Sequence, residues 1–276
     1  MRKRRKKKEG GESGREEGAG GAAPSAAEAP RLRVVATPIG NLEDITLRAL
    51  RVLREAELVA AEDTRRTGRL LAHYEIRKPL VSYHRFNEAK RLSGLLSLLR
   101  EGKRVVLVSD AGMPGISDPG ERLLRRCVEE GIVVEVVPGP SAVLAALLAS
   151  GFSTTPFYFG GFLPVKAGAR RSEWEAARER ECTSVYFESP HRLRRSLEEA
   201  AAVLGGREVC LARELTKKFE EVLRGSAEAL LSRYQEREPR GEFCLVVAGA
   251  GKAGSGRGGD SDDPPDPSLF SRAQVV

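Results

Sequence analysis

The sequence predicts a two-domain α/β protein, with a mostly parallel sheet in the N-terminal domain and a mixed sheet in the C-terminal one. Three observations point there. From residue 31 onward, short β-branched runs alternate with stretches of Leu/Ala periodicity, the order expected of βα units. Between residues 208 and 226, two strand-like runs follow one another with no helical pattern between them, which requires some antiparallel pairing. The 276 residues are 41% hydrophobic but only 5% aromatic, enough for two medium domains packed with Val, Leu and Ala.

Taken in order, residues 1–30 are rich in Gly, Ala and Glu without apolar periodicity and read as a disordered basic tail. The opening MRKRRKKKEGG leads into Gly, Glu and Ala instead of an apolar stretch, so it is not expected to be a secretory signal. It reads either as a non-specific nucleic-acid arm or as a plain solvated tail. The seven basic residues from Arg2 to Lys8 match the whole formal net charge of +7. Any nucleic-acid surface on the folded part must therefore be a local patch, not a global field.

The N-terminal domain, residues 31–140, is expected to place strands at LRVVATPI, ELVAAED, VVLVSD and VVEVVPG, each followed by a helix. The boundary is placed near residues 139–156, where PGPSAVLAALLASGFSTTP combines a turn, a helix and a Thr/Pro linker. The C-terminal domain, residues 141–250, is expected to place strands at FYFGGF, TSVYFES, EVCLAREL, FEEVLRGS and EFCLVVAGA. Residues 251–276 read as a second disordered tail. No apolar run reaches membrane-spanning length. Cys127, Cys182, Cys210 and Cys244 lie in apolar or strand-like stretches without C-x-x-C spacing, as buried free thiols of a cytoplasmic protein would.

In open parallel sheets, ligands bind beyond the carboxyl ends of the strands. Three loops stand there: TPIGN after the first strand, SDAGMPGISDPG (residues 109–120) after VVLV, and PGPSA after VVEVV. Gly112 and Gly115 permit backbone conformations closed to other residues, Pro114 and Pro119 stiffen the path, and Ser117 or Asp118 is placed to cap a helix starting near Pro119. Asp110, directly after the strand, can accept hydrogen bonds from a ligand's amine or hydroxyls. Three such loops on one sheet edge point to a small-molecule site.

Several chemistries are disfavoured. G-x-x-x-x-G-K-[ST] is absent, and the one G-x-G-x-x-G match, GAGKAG from Gly249, is followed by Ser, Gly, Asp and Pro instead of a helix. His73, His84 and His191 have no metal-ligand spacing and no G-x-S-x-G occurs, so neither a metal nor a Ser/His/Asp site is expected.

The ordered segments VVATPIGNLEDITLRAL, AEDTRRTGRLL, VSDAGMPGISDPG, VVPGPSAVLAALLASG, GGFLP, FESPHRL, LARELTKKFEE and RGEFCLVV cover about residues 32–249. Together they resemble the bacterial ribosomal RNA small subunit methyltransferase I family of the tetrapyrrole (corrin/porphyrin) methylase superfamily. The resemblance implies methyl transfer from S-adenosylmethionine to the 2′-hydroxyl of a cytidine in the decoding centre of 16S rRNA. It implies two α/β domains with the cofactor between them, and a homodimer. Carried over motif by motif, it implies cofactor contacts from Ile39, Gly40, Asp110, Met113, Ser141, Ala142, Phe187, Ala212 and Glu242. Met113 stands where many relatives have Thr, a change that a backbone contact would tolerate. The long N-terminal tail is extra to the family core.

With that ligand the protein's chief task is positioning, aided by a base for the ribose hydroxyl. Glu188, Glu214 and Glu62 are the candidates, in that order, each with a structural salt-bridge reading beside it. RNA contacts are expected from Arg65, Arg66, His84, Arg85, Arg192, Arg213, Lys217 and Lys218; Arg194 and Arg195 read equally well as a solvated helix face. Two alternatives stay open: a precorrin or uroporphyrinogen methylase of the same superfamily, and a non-catalytic RNA-binding protein. AEDTRRT and FESPHRL favour the rRNA branch.

Overall fold

A computed structural model describes residues 31–251. The expected tails, apart from Gly251, lie outside the described residues, and with them the basic N-terminal run and half of GAGKAG. Chain order begins β1 (Leu32–Val35), α1 (Leu47–Glu55), β2 (Leu58–Ala61), α2 (Thr64–His73), β3 (Leu80–Ser82), α3 (Glu88–Arg100), β4 (Val105–Val108), α4 (Glu121–Glu129), β5 (Val134–Val137). These strands form one five-stranded sheet in the order β3-β2-β4-β1-β5, parallel throughout.

Its central strands are buried on both faces, as a parallel sheet covered by crossover helices must be. Val35, Val59, Ala61, Val106, Val108 and Val137 pack with Ala49, Val52, Leu53 and Leu71 of α1 and α2. On the opposite face, Leu32, Ala60, Val105 and Leu107 meet Leu95, Leu96, Leu99, Leu123 and Cys127 of α3 and α4. Thr46 caps α1 by accepting from the Ala49 N–H, and Asp63 caps α2 by accepting from the Arg65 N–H. The strand missed by the sequence reading is β3, a three-residue edge strand with no residue fully buried. Its LVS leaves too short a run to show a period.

The chain continues through α5 (Ala142–Ser150), β6 (Phe157–Phe162), α6 (Ala167–Glu179), β7 (Thr183–Glu188), α7 (Pro190–Leu204), β8 (Glu208–Arg213), β9 (Glu221–Ser226), α8 (Ala227–Ser232) and β10 (Phe243–Val247). The second sheet has the order β6-β7-β10-β8-β9, with β6 parallel to β7 and the other pairs antiparallel. All nine strands expected from the sequence are present, and the 208–226 hairpin supplies the antiparallel pair. Alternation splits the second sheet between two cores. Tyr186, Val209, Leu211, Phe243, Leu245 and Val247 face α6, α7 and α8. Val185, Cys210, Ala212, Cys244 and Val246 face α5 through Val143, Ala146 and Leu147, joined by Ile39 from the first-strand loop. Cys127, Cys182, Cys210 and Cys244 are all free thiols, three of them buried. Among the described residues, no helix is long and apolar enough to cross a membrane.

Candidate functional site

The carboxyl ends of β1, β2 and β4 face the second sheet, and the loops leaving them are tied together. Thr37 and Gly112 exchange backbone hydrogen bonds of 2.9 and 3.0 Å, and the Thr37 hydroxyl donates to the Ser109 carbonyl at 3.1 Å. Gly112 holds φ +76°, a conformation a residue with a Cβ resists. A cleft of about 380 Å³ opens between this rim and the second sheet, within the range of small-molecule sites. Its lining includes the apolar Ile39, Ala142, Phe187, Ala212 and Leu215 and the acids Glu62, Asp110, Asp118, Glu188 and Glu242, with Arg66 at hand.

Of the nine residues expected at a cofactor, eight line this cleft: Ile39, Asp110, Met113, Ser141, Ala142, Phe187, Ala212 and Glu242. Gly40 does not. Its exposed backbone lies against the rim of the second sheet, where a Cβ would stand 2.3 Å from Lys217 Cγ and 3.0 Å from the Leu215 carbonyl. The Ser141 hydroxyl caps α5 by accepting from the Leu144 N–H at 3.4 Å, so the PGPSA loop ends as a helix start at the cleft wall.

The three glutamates expected as bases occupy different settings. Glu188 lines the cleft at 2% exposure, but its lone pairs are engaged. Oε1 accepts from the Ser189 N–H and from Arg192, both at 2.7 Å, and Oε2 accepts from the Ser196 hydroxyl. Glu214 is not among the cleft-lining residues. Burial opposes its ionisation, but Lys217 at 2.8 Å and the Glu242 N–H at 3.0 Å outweigh it and lower its pKa. Glu214 also sits at φ +50°, so these bonds hold a strained backbone in place. Glu62 lines the cleft; burial raises its pKa, opposed by the Asp110 N–H that donates to it at 3.3 Å. Asp110 is raised likewise, chiefly by burial, while the Asp63 N–H at 3.0 Å and Arg66 at 3.5 Å favour its charge.

Asp118 is the cleft acid that the sequence reading treated only as a helix cap. The structure corrects that expectation: α4 is capped by Gly120 without any side-chain bond, and neither Ser117 nor Asp118 serves it. The reason is the turn at residues 117–120, which carries Ser117 at φ +64° and Gly120 at φ +141° and leaves Asp118 lining the cleft. Burial, with Glu62 as the next contributor, pushes Asp118 up to about 7. An unfolded Asp ionises near about 3.9, so between that value and about 7 the folded chain binds the extra proton and loses stability as pH rises. The unfolding midpoint of Asp118→Asn, relative to the parent, is therefore expected to climb between about pH 4 and about pH 8. Thermal unfolding across that range checks this; a difference independent of pH would mean that the carboxylate is solvated.

The expected RNA contacts divide into two groups. Arg65, Arg66, Arg85 and Lys218 are exposed and His84 half-buried, although Arg65 pairs with its own helix cap Asp63 at 2.8 Å. Arg192, Arg213 and Lys217 are held internally. Arg192 bonds Glu188 and the Leu163 carbonyl, Arg213 bonds the Arg240 carbonyl and Glu221, and Lys217 bridges Glu214 and Glu242. Arg194 donates to the Tyr234 carbonyl and Arg195 pairs with Glu199. Phe86 was missed by sequence reasoning. It is 94% exposed beside Arg85, on a turn in which Asn87 accepts from the His84 N–H at 2.8 Å and His84 Nδ1 from the Phe86 N–H at 3.2 Å. An aromatic residue outside any apolar period and next to a basic pair was the available signal.

The family model of the Tetrapyrrole (Corrin/Porphyrin) Methylases matches residues 31–231. The chain is 48% identical over 219 residues to "Ribosomal RNA small subunit methyltransferase I" of Thermotoga maritima, covering 79% of this chain and 98% of that one. It is 50% identical over 223 residues to the protein of the same name from Micromonospora olivasterospora, covering 80% and 71%. Among solved structures it resembles the uroporphyrin-III-C-methyltransferase of Thermus thermophilus, with TM-score 0.56, 26% identity and 79% and 93% of the two chains covered. The methyltransferase CobJ shares the fold at TM-score 0.61 and 20% identity, over 80% and 95%. A parallel sheet and a mixed sheet enclosing a cleft, matched over about four fifths of the chain by proteins of 48–50% identity, place this chain in the tetrapyrrole methylase family, among the ribosomal RNA small subunit methyltransferases I.

Proposed function

We propose that this protein transfers a methyl group from S-adenosylmethionine to the 2′-hydroxyl of a cytidine ribose in 16S rRNA, at the decoding centre of the small ribosomal subunit. The observation that carries the reading is the cleft itself, whose lining joins an apolar set (Ile39, Ala142, Phe187, Ala212 and Leu215) to five carboxylates (Glu62, Asp110, Asp118, Glu188 and Glu242). That combination suits a ligand with an adenine ring at one end and a cationic sulfonium and amine at the other. Ile39, Ala142, Phe187 and Ala212 would hold the ring, and Asp110 and Glu62 would face the cationic groups. Bound there, S-adenosylmethionine supplies an electrophilic methyl carbon. The chain's residues orient the ribose against it, shield the reacting atoms from water and take up the hydroxyl proton. The relatives named for rRNA methylation stand at 48–50% identity, against 26% for the tetrapyrrole enzyme of Thermus thermophilus, which favours RNA as substrate. A homodimer acting in the cytoplasm, without metal, completes the reading.

Tritium transfer from S-adenosylmethionine into small subunits and into free 16S rRNA tests it. Label is expected on a single ribose 2′-oxygen of a cytidine; label on a base, or none, would overturn the reading. In the same assay Asp110→Ala is expected to weaken cofactor binding by tenfold or more, on the order of one lost hydrogen bond to a charged group, while unfolding stays cooperative. Calorimetry reads this directly, and unchanged affinity would remove Asp110 from the site. Phe86→Ala is expected to weaken subunit binding about tenfold through loss of one stacked base, worth roughly 1–3 kcal/mol. Filter binding at fixed salt checks it, with cofactor affinity unchanged.

A further inference from the structure

We propose that Asp118 is the group that removes the proton from the attacking ribose hydroxyl, and that Glu62 beside it tunes this carboxylate instead of acting as the base. The inference rests on the methyl-transfer reading above. In the reaction, Asp118 accepts the proton as the O–H electron pair forms the new O–C bond. The C–S pair returns to sulfur, so a carboxylate and a sulfonium become a neutral acid and a thioether.

Elimination among the acids at the cleft comes first. A general base needs a lone pair that faces the reacting atom and is not already filled. Glu188 has both oxygens engaged by three donors, Asp110 accepts from the Asp63 N–H and pairs with Arg66, and Glu242 pairs with Lys217 at 2.9 Å. Glu62 accepts the Asp110 N–H on Oε2 alone and, among the described residues, enters no ion pair either, so placement separates it from Asp118. Asp118 lines the same cleft and, among the described residues, enters no ion pair.

Its placement is also fixed from several sides. Ser117, immediately before it, is held at φ +64° against β6, where a Cβ on Gly161 would come within 3.1 Å of the Ser117 hydroxyl. After it, the Gly120 N–H donates to Glu88 Oε1 at 3.0 Å, and Gly120 is wedged so that a Cβ would meet Leu107 at 3.0 Å and the Gly115 nitrogen at 3.2 Å. A strained turn clamped between two sheets holds a side chain where a free loop would let it wander, and such strain gathers at functional sites.

The charges around Asp118 set its readiness to take a proton. Glu62 after β2 and Asp110 after β4 repel its negative form, while the Ser109 hydroxyl and Arg85 favour it; burial, the largest influence, acts with the two acids, and the carboxyl rises to about 7. Arg66 on α2 and Glu88 on α3 stand nearby, and across the cleft Glu188 is neutralised by Arg192. An acid that titrates near neutrality combines a populated base form with useful basicity.

The test is single-turnover methyl transfer into small subunits with the parent protein, Asp118→Asn, Asp118→Glu and Glu62→Gln, followed from about pH 5.5 to about 8.5. Cofactor affinity is read by calorimetry on the same preparations. The parent rate is expected to rise with pH through a midpoint near about 7. Asp118→Asn is expected to lose roughly a hundredfold or more in kcat, to lose that acid limb, and to keep its cofactor Kd within about twofold, while Asp118→Glu recovers part of the rate. Glu62→Gln should keep the limb and move it to lower pH, because one repelling charge is gone. Retention of rate and limb by Asp118→Asn, a matching loss of cofactor affinity, or disappearance of the limb in Glu62→Gln alone would each overturn the inference. If the parent itself leaves no label on small-subunit rRNA, the methyl-transfer reading falls first; if the parent labels and Asp118→Asn labels equally, only the role of Asp118 falls.

Discussion

Glu188→Ala is expected to lower the thermal unfolding midpoint by on the order of 10 °C, and to do so more severely than any change at the cleft mouth. The side chain is fully buried at the end of β7 and accepts from the Ser189 N–H, the Ser196 hydroxyl and Arg192. Truncation leaves a half-buried guanidinium, the buried Ser196 hydroxyl and the half-buried Ser189 N–H without their acceptor. Breaking a buried pair by removing one partner costs roughly 3–5 kcal/mol, and in a chain of this size each kcal/mol moves the midpoint by about 2–4 °C. Glu188→Gln, which keeps an acceptor for Ser196 but not the charge for Arg192, is expected to fall between the parent and Glu188→Ala. Differential scanning calorimetry of the three proteins decides the matter: equal midpoints would show that water replaces the carboxylate. Because α7 begins at Pro190 directly after this cluster, the same variant should also disturb the cleft wall formed by Glu188, Ser189 and Pro190.

Arg170→Met is the second large effect, and it lies away from the cleft. Arg170 is 1% exposed on α6 and makes four bonds: a two-pronged pair with Glu199 at 2.7 and 2.8 Å, and one each to the Pro164 and Val165 carbonyls at 3.0 Å. Methionine matches much of the volume and none of the donors, so two carbonyls and one carboxylate lose their partner. Arg195, at 3.2 Å from Glu199 on the solvent side, keeps part of the pairing, which places the expected loss near the lower end, about 3 kcal/mol. The dependence on pH has a definite sign. The Arg170 hydrogen bond holds the Glu199 carboxyl below the usual carboxylate range, so the stability it contributes is complete above the unfolded pKa and is lost as pH falls through the folded one. The deficit of Arg170→Met is therefore expected to be full at neutral pH and to shrink below about pH 4.3. A deficit that grew toward acid would mean that some other group is responsible. Cofactor affinity should be unaffected at temperatures where the variant is folded.

The strands β2 and β4 of the first sheet could be read from the chain because each is a continuous apolar run, the composition that burial on both faces favours. VVLV at Val105–Val108 and LVAA at Leu58–Ala61 are such runs, and so is FCLVV at Phe243–Val247 in the second sheet. The rim loops were legible for a related reason: Gly, Pro and Asp at fixed places after a strand specify a backbone path locally. Leu80–Ser82 escaped because an edge strand of three half-buried residues owes its existence to β2 alongside it, not to its own composition. Residue roles were legible in type but not in detail. Arg192, Arg213 and Lys217 have the composition of an RNA surface, yet each is consumed in part by groups brought from other parts of the chain: the Leu163 carbonyl, the Arg240 carbonyl and Glu242.

The sequence by itself determined where the strands and rim loops lie and which residue types face the cleft, because period, turn chemistry and motif order are properties of neighbours along the chain. Only the tertiary structure decided which of the cleft carboxylates are engaged in ion pairs and which are not. Glu188 is silenced by donors one, four and eight residues further along the chain, at the start of α7, whereas Asp118 is turned away from the helix it precedes by a strained turn wedged against a strand of the other sheet. The balance of burial, hydrogen bonds and like charge that sets a side chain's affinity for a proton is a sum over neighbours in space, and those neighbours are assigned only when the chain folds.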